Sequence, residues 1–141
     1  MNNQKLKQNN LGYWEILDKP TKEELDQYYS EEYFQQSLGS YEKNYSKSEL
    51  EYFFSKIQQK YFVIQKLLSS NKKRLLDVGC GEGFVLSFFK QKGWDIKGLD
   101  FSSSGIRQQN PSCLDNLIKG DIFESIENEI ALNSSYEVIW L

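Results

Sequence analysis

The chain has no histidine, and its 141 residues include only two cysteines, two prolines and one methionine. Without histidine the commonest general base is missing, so any proton transfer falls to carboxylates, tyrosines or lysines, unless the substrate arrives already activated. Cys80 and Cys113 form no metal-ligand spacing, and a reduced, metal-free, cytoplasmic chain is the reading that follows. No run approaches the roughly 20 apolar residues of a membrane span, and the polar opening MNNQKLKQNN lacks the apolar core of a signal peptide. Seventeen Lys and Arg against 20 Asp and Glu leave a net charge of -3 with no basic cluster, so nothing basic enough to suggest a nucleic-acid surface is present. Aromatic residues are plentiful at 15%, and the length suits one domain with a sizeable core.

The rest is organised around residues 74–86, RLLDVGCGEGFVL. A short apolar run leads to Asp77 and Val78; Gly79, Gly81 and Gly83 follow at alternate positions, and a second apolar run begins at Phe84. The pattern predicts a buried strand, a tight glycine turn and a helix start. Glycines there reach backbone angles closed to other residues and let a ligand touch the main chain. The helix start adds free N–H groups and positive potential, so the turn suits a nucleotide-type ligand.

Residues 1–10 read as disordered, being amide- and lysine-rich. Residues 11–17 (LGYWEIL) read as a short strand or extended segment. Thr21 with Glu24 forms a capping-box pattern that predicts a short helix to about Tyr29. Residues 30–45 carry Tyr33, Phe34, Tyr41 and Tyr45 around Gly39 and read as an ordered loop or short helices against the remainder. Ser46 with Glu49 is a second capping box; Leu50, Phe53, Phe54, Ile57, Tyr61, Ile64, Leu67 and Leu68 then recur at helical spacing, predicting a long sheet-covering helix to about Ser69. Strands are predicted at 74–78, 94–100, 116–121 and 136–141, with helices at 83–92, 102–110 and 122–132 between them. Pro111 ends the second of these helices, and Ser102 or Ser103 is its N-cap. Such alternation predicts a doubly wound parallel sheet with right-handed crossovers, its strands buried on both faces. The division is an N-terminal helical extension or cap at 1–45 and a ligand-binding domain at 46–141. The chain stops at the fourth strand, which should lie beside the first. The sheet therefore reads as partial and truncated, or completed through that strand's open edge by a second copy or a complementing chain.

Three acids fall at the carboxyl ends of the predicted strands: Asp77, Asp100 and Asp121. Asp100 stands about twenty residues after the turn, where a carboxylate accepts from ribose hydroxyls. Phe101 can pack on an adenine face, Asp121 and the Ile122 backbone can reach the base edge, and Asp77 can orient the turn and the cationic end of a ligand. A dinucleotide site predicts G-x-G-x-x-G, but here the third glycine comes one residue early, and Glu82 places negative charge where a pyrophosphate would lie. Repulsion favours a ligand carrying an ammonium or sulfonium group and disfavours an NAD-dependent oxidoreductase.

These residues resemble a known family. LLDVGCGEG at 75–83 is similar to the first motif of class I S-adenosylmethionine-dependent methyltransferases; GLDFS at 98–102, GDI at 120–122 and YEVI at 136–139 resemble its second-, third- and fourth-strand motifs in order and spacing. The resemblance implies a Rossmann-like fold and S-adenosyl-L-methionine as cofactor. It implies Asp77, Gly79, Cys80, Gly81, Gly83, Asp100, Phe101, Asp121 and Ile122 as the residues that bind it, with direct methyl displacement as the reaction. PTKEEL at 20–25, with Tyr28, Tyr29, Glu32, Tyr33, Phe34, Tyr41 and Tyr45, more loosely resembles the lead-in of a bacterial subgroup acting on sugars, cell-surface precursors or other small metabolites, without the cysteine-rich ribbon of some relatives. The partner implied is a small-molecule acceptor, with neither nucleic acid nor membrane. The alternative is a non-catalytic cofactor-binding fragment or regulatory module. No catalytic residue is assigned. Plainer roles stand beside these: Asp100 as a helix cap, Asp121 as a solvated loop acid, Cys80 as a small buried residue, and Tyr41 and Tyr45 as packing residues rather than cofactor covers.

Overall fold

In a computed structural model the residues described are 5–29 and 44–141. The readings made of Tyr33, Phe34, Gly39 and Tyr41 therefore lie outside the described residues. The reading of 1–10 as disordered is corrected over its second half. Leu6–Gln8 (β1) pairs antiparallel with Trp14–Ile16 (β2). Local turn chemistry makes the hairpin: the Asn9 carbonyl accepts from Gly12 N–H at 3.0 Å, the Asn9 side chain accepts from Leu11 N–H at 2.9 Å, and Gly12 takes φ +89°.

Both capping boxes form. Thr21 accepts from Glu24 N–H while the Glu24 carboxylate accepts from Thr21 N–H, opening α1 (Lys22–Gln27). Ser46 and Glu49 do the same for α2 (Lys47–Leu67). Such reciprocal bonds satisfy donors the helix itself leaves open. The α2 stripe turns Phe53, Phe54, Ile57, Tyr61, Ile64 and Leu68 inward as expected, whereas Leu67 is exposed.

Strict alternation follows: β3 (Arg74–Val78), α3 (Phe84–Gln91), β4 (Asp95–Asp100), α4 (Ser104–Gln109), a 3₁₀ segment at Pro111–Asn116, β5 (Leu117–Lys119), α5 (Ile122–Ala131) and β6 (Val138–Trp140). The four strands run parallel in the order β5-β4-β3-β6, so the fourth strand does lie beside the first. Gly93, at φ +76°, closes α3 and turns the chain into β4. On one face α2 and α3 lay Ile57, Tyr61, Leu86, Phe88 and Phe89 against Leu75 and Ile96. Each such fully buried side chain contributes about 1.5–3 kcal/mol. On the other face Glu129 of α5 accepts from Lys97 of β4 at 2.7 Å and from the Tyr136 hydroxyl. Burial pushes the Glu129 carboxyl up, but hydrogen bonds from Lys97, Tyr136 and Ser134 outweigh it and bring the pKa down to about 2.

One expectation holds only in the centre. Leu75, Leu76, Ile96 and Leu99 are buried, as strands covered on both faces require. Ile118 on β5 and Ile139 on β6 are exposed, the latter by 62%, and among the described residues the outer edge of β6 has no neighbouring strand.

Gly98 sets how closely α3 and the turn approach β4. A Cβ there would lie 2.7 Å from Leu86 Cδ1 and 2.8 Å from Cys80 Sγ, and both neighbours are buried. Gly98→Ala should therefore destabilise the chain by about 1–3 kcal/mol in urea unfolding. A variant as stable as the wild type would show that the two side chains can move aside.

Candidate functional site

The glycine turn leaves β3 and is hung from the end of β4. The N–H groups of Gly79 and Cys80 both donate to the Leu99 carbonyl, at 2.8 and 3.1 Å. Gly81 N–H donates to Asp100 Oδ2 at 2.8 Å, and Ser102 N–H to Asp100 Oδ1 at 2.9 Å. Asp100 is thus a tie for two backbone segments. The expected cap of α4 is shared: Ser103 holds the N-cap position without a side-chain bond, while Ser102 Oγ accepts from Ser104 N–H at 3.1 Å.

Gly79, Gly81 and Gly83 all adopt positive φ, at +72°, +54° and +75°, which accounts for three glycines in five residues. Their surroundings differ. A Cβ on Gly83 would meet Ile106 Cγ1 at 2.9 Å, so this glycine serves packing of the turn on α4. Among the described residues nothing lies within 4 Å of the Gly79 position, and the Gly79 carbonyl, at 4.0 Å, is what approaches that of Gly81. The turn therefore presents open backbone at the carboxyl ends of β3 and β4. Cys80 sends its side chain the other way, into the core beside Gly98; burial pushes its thiol up, so it is inert there.

The three acids part company. Asp77 is only 3% exposed, and among the described residues no hydrogen-bond donor reaches its carboxylate. Burial first, and the Asp100 charge second, push its pKa up to about 7. Burial also raises Asp100, against the hydrogen bonds from Ser102, Gly81 and Phe101 N–H. Asp121 turns to its own helix as the N-cap of α5, accepting at Oδ1 from Phe123 and Glu124 N–H at 2.8 and 3.1 Å; Ile122 opens that helix, half-buried. The Asp-to-helix boundary was a readable capping signal.

Two contacts have no counterpart in the sequence reading. Tyr29 stacks on Phe101, ring centroids 5.5 Å apart and planes 3° apart, so one face of Phe101 is covered from the segment after α1. The Tyr45 hydroxyl donates to the Glu82 carboxylate. Neither pairing has a local signature, because each joins residues far apart in the chain.

The missing histidines make Asp77 easy to isolate, since apart from the α-amino group little else ordinarily titrates between pH 5.5 and 8. A carboxyl whose folded pKa stands above its unfolded value stabilises the fold fully while protonated, below about pH 4, and loses that contribution as pH rises through about 7. In urea unfolding, wild-type stability should fall between pH 5 and 8 and that of Asp77→Asn should fall much less. At pH 8 the variant should be the more stable by on the order of 2–4 kcal/mol. Equal falls in both would show that another group titrates.

Comparison with known proteins gives a consistent result. Residues 49–140 match a family described as a methyltransferase domain. The ubiquinone biosynthesis O-methyltransferase of Rickettsia canadensis is 30% identical over 90 residues, 64% of this chain and 36% of that protein. Its Rickettsia felis counterpart is 29% identical over 64% of this chain and 34% of its own length. The chain thus spans about a third of the curated relatives it matches. The plantazolicin methyltransferase BpumL, solved with S-adenosylhomocysteine, superposes over 82% of this chain and 44% of its own, with a TM-score of 0.52 at 23% identity, a likeness of fold. With the parallel sheet, the glycine turn and the family match over most of its length, the chain belongs to the class I S-adenosylmethionine-dependent methyltransferases.

Proposed function

We propose that this chain binds S-adenosylmethionine at the carboxyl ends of β3, β4 and β5 and serves methyl transfer to a small-molecule acceptor. The observation that carries this is the open backbone at Gly79 and Gly81, tethered to Asp100. A ligand can lie against that main chain without displacing a side chain, so the residues present fit the cofactor. The Asp100 carboxylate, with about four lone-pair sites and backbone donors at Gly81, Ser102 and Phe101, keeps acceptor capacity for ribose hydroxyls. Phe101 is the ring for the adenine face; Asp121 and the Ile122 backbone are assigned to the base edge. Gly83 and Cys80 shape the turn from within. Ionised Asp77 favours a cationic ligand.

When bound, S-adenosylmethionine supplies a methyl carbon that its sulfonium has activated for displacement by an acceptor nucleophile. The chain's own contribution is alignment and exclusion of water: the turn fixes where the ligand rests, and the Tyr29–Phe101 stack shields one side. A small-molecule acceptor is supported by the curated relatives named for ubiquinone biosynthesis. A sugar or cell-surface precursor is the narrower assignment we favour from the aromatic lead-in. We place the protein in the cytoplasm, with residues 1–45 as a cap on a domain at 46–141. The open β6 edge is where a second copy or complementing chain would add.

Calorimetry with S-adenosylhomocysteine should give 1:1 binding, weakened at least about tenfold in Asp100→Ala, as loss of charge-assisted bonds implies. A folded sample that binds none would sink the assignment. Transfer of labelled methyl into a small-molecule extract by the chain alone separates an enzyme from a binding module.

A further inference from the structure

Glu82 is the one charged side chain inside the glycine turn, and it is only 9% exposed. A carboxylate so placed persists where a donor meets it. Its donor comes from a distant part of the chain: Tyr45 Oη lies 2.9 and 2.8 Å from the two carboxylate oxygens, one hydroxyl serving both. The main chain of Glu82 is held as well, its carbonyl accepting from Asn110 Nδ2 at 2.8 Å. Glu82 is therefore fastened from two sides, between Gly81, whose N–H rests on Asp100, and Gly83, which is wedged under Ile106.

Tyr45 is itself well seated. Its ring meets Phe53 and Phe84 edge-on, with centroids 5.2 and 5.6 Å away, and it directly precedes Ser46, the N-cap of α2. The aromatic contacts need the ring, and the turn needs the hydroxyl.

We infer that Tyr45 is a positioning residue for the cofactor turn, its hydroxyl holding Glu82 in place and thereby the adjoining Gly81 backbone against which the ligand lies. This rests on the reading of the turn as the S-adenosylmethionine site. The hydroxyl also opposes the upward push of burial on the Glu82 carboxyl. The contact made from the end of α4 is the Asn110 amide, which does not titrate, so Tyr45 is the titratable group that meets Glu82 among the described residues.

The test is calorimetry with S-adenosylhomocysteine on the full chain between pH 5.5 and 8.5, comparing wild type, Tyr45→Phe, Glu82→Gln and the double variant. Tyr45→Phe keeps the ring and should weaken binding about tenfold, with a pH dependence beyond the wild type's, because Glu82 loses the hydroxyl that opposes the push of burial. Glu82→Gln retains an acceptor for the hydroxyl and should lose no more than about threefold. The double variant should stay weak yet return to the wild type's pH dependence, with Asp77 still titrating, which a purely packing role for Tyr45 would not produce. Where a stranded charge unfolds Tyr45→Phe, the double variant supplies the affinity instead. Wild-type affinity in either protein lacking the hydroxyl overturns the inference alone, as does a pH profile identical in the single and double variants. Absence of binding by the folded wild type overturns this inference together with the site.

Discussion

Three N–H groups of the glycine turn converge on the last two residues of β4: Gly79 and Cys80 on the Leu99 carbonyl, Gly81 on the Asp100 carboxylate. This attachment is what turns a strand ending at Val78 into a shelf facing the carboxyl ends of the sheet. It also dictates what can neighbour it. With the turn drawn down onto β4, Cys80 and Leu86 fill the space where a side chain on residue 98 would stand. The α3 helix then enters at a fixed angle, and Ile106 of α4 can close over Gly83. Positive φ at three alternate positions is the backbone's response to being fastened at so many points within one short segment.

The same attachment concentrates negative charge in a place with little water. Asp100 must be near the turn to receive Gly81, and in the parallel register Asp77 pairs with Gly98, one strand across. Two carboxylates consequently share one end of the sheet, and Asp77 receives no donor from the described residues. Burying like charges without compensation is unfavourable, so the site stores a preference for a positive group. Such a preference separates this turn from phosphate-binding glycine loops, where the same backbone geometry meets an anion. Glu82 strengthens the distinction, since its carboxylate is kept within the turn by Tyr45 rather than released to solvent.

Much of this was legible because the signals are local. The strand at 74–78 and both capping boxes are short patterns whose meaning depends on a few adjacent residues, and the alternation from residue 74 onward leaves few topologies open. The β1–β2 hairpin escaped because polar composition obscured the turn chemistry of Asn9 and Gly12. Asp121 stands directly before a helical pattern, a local N-cap signal, and it does cap α5. Exposure of Ile139 could not be read from YEVIWL, because an apolar strand has the same composition whether or not both faces are covered. Tyr29–Phe101 and Tyr45–Glu82 were out of reach for a different reason: each is a pairing across the fold, specified by where the elements dock.

Those two pairings share a direction. Both run from residues that precede β3 to residues at the carboxyl ends of the strands, as does the exposed Lys22–Glu124 ion pair at 3.1 Å. An exposed ion pair contributes little, whereas an aromatic stack and a hydroxyl on a buried carboxylate each carry a definite geometry. Residues in front of the alternating sheet thus meet the glycine turn and the ring beside Asp100, at the positions where ligand contacts are assigned. Docking of the N-terminal segment and shaping of the glycine turn are then one structural event. A substitution at Tyr45 or Tyr29 bears on the site through the fold's assembly, even though neither residue belongs to the motif by which the family is recognised.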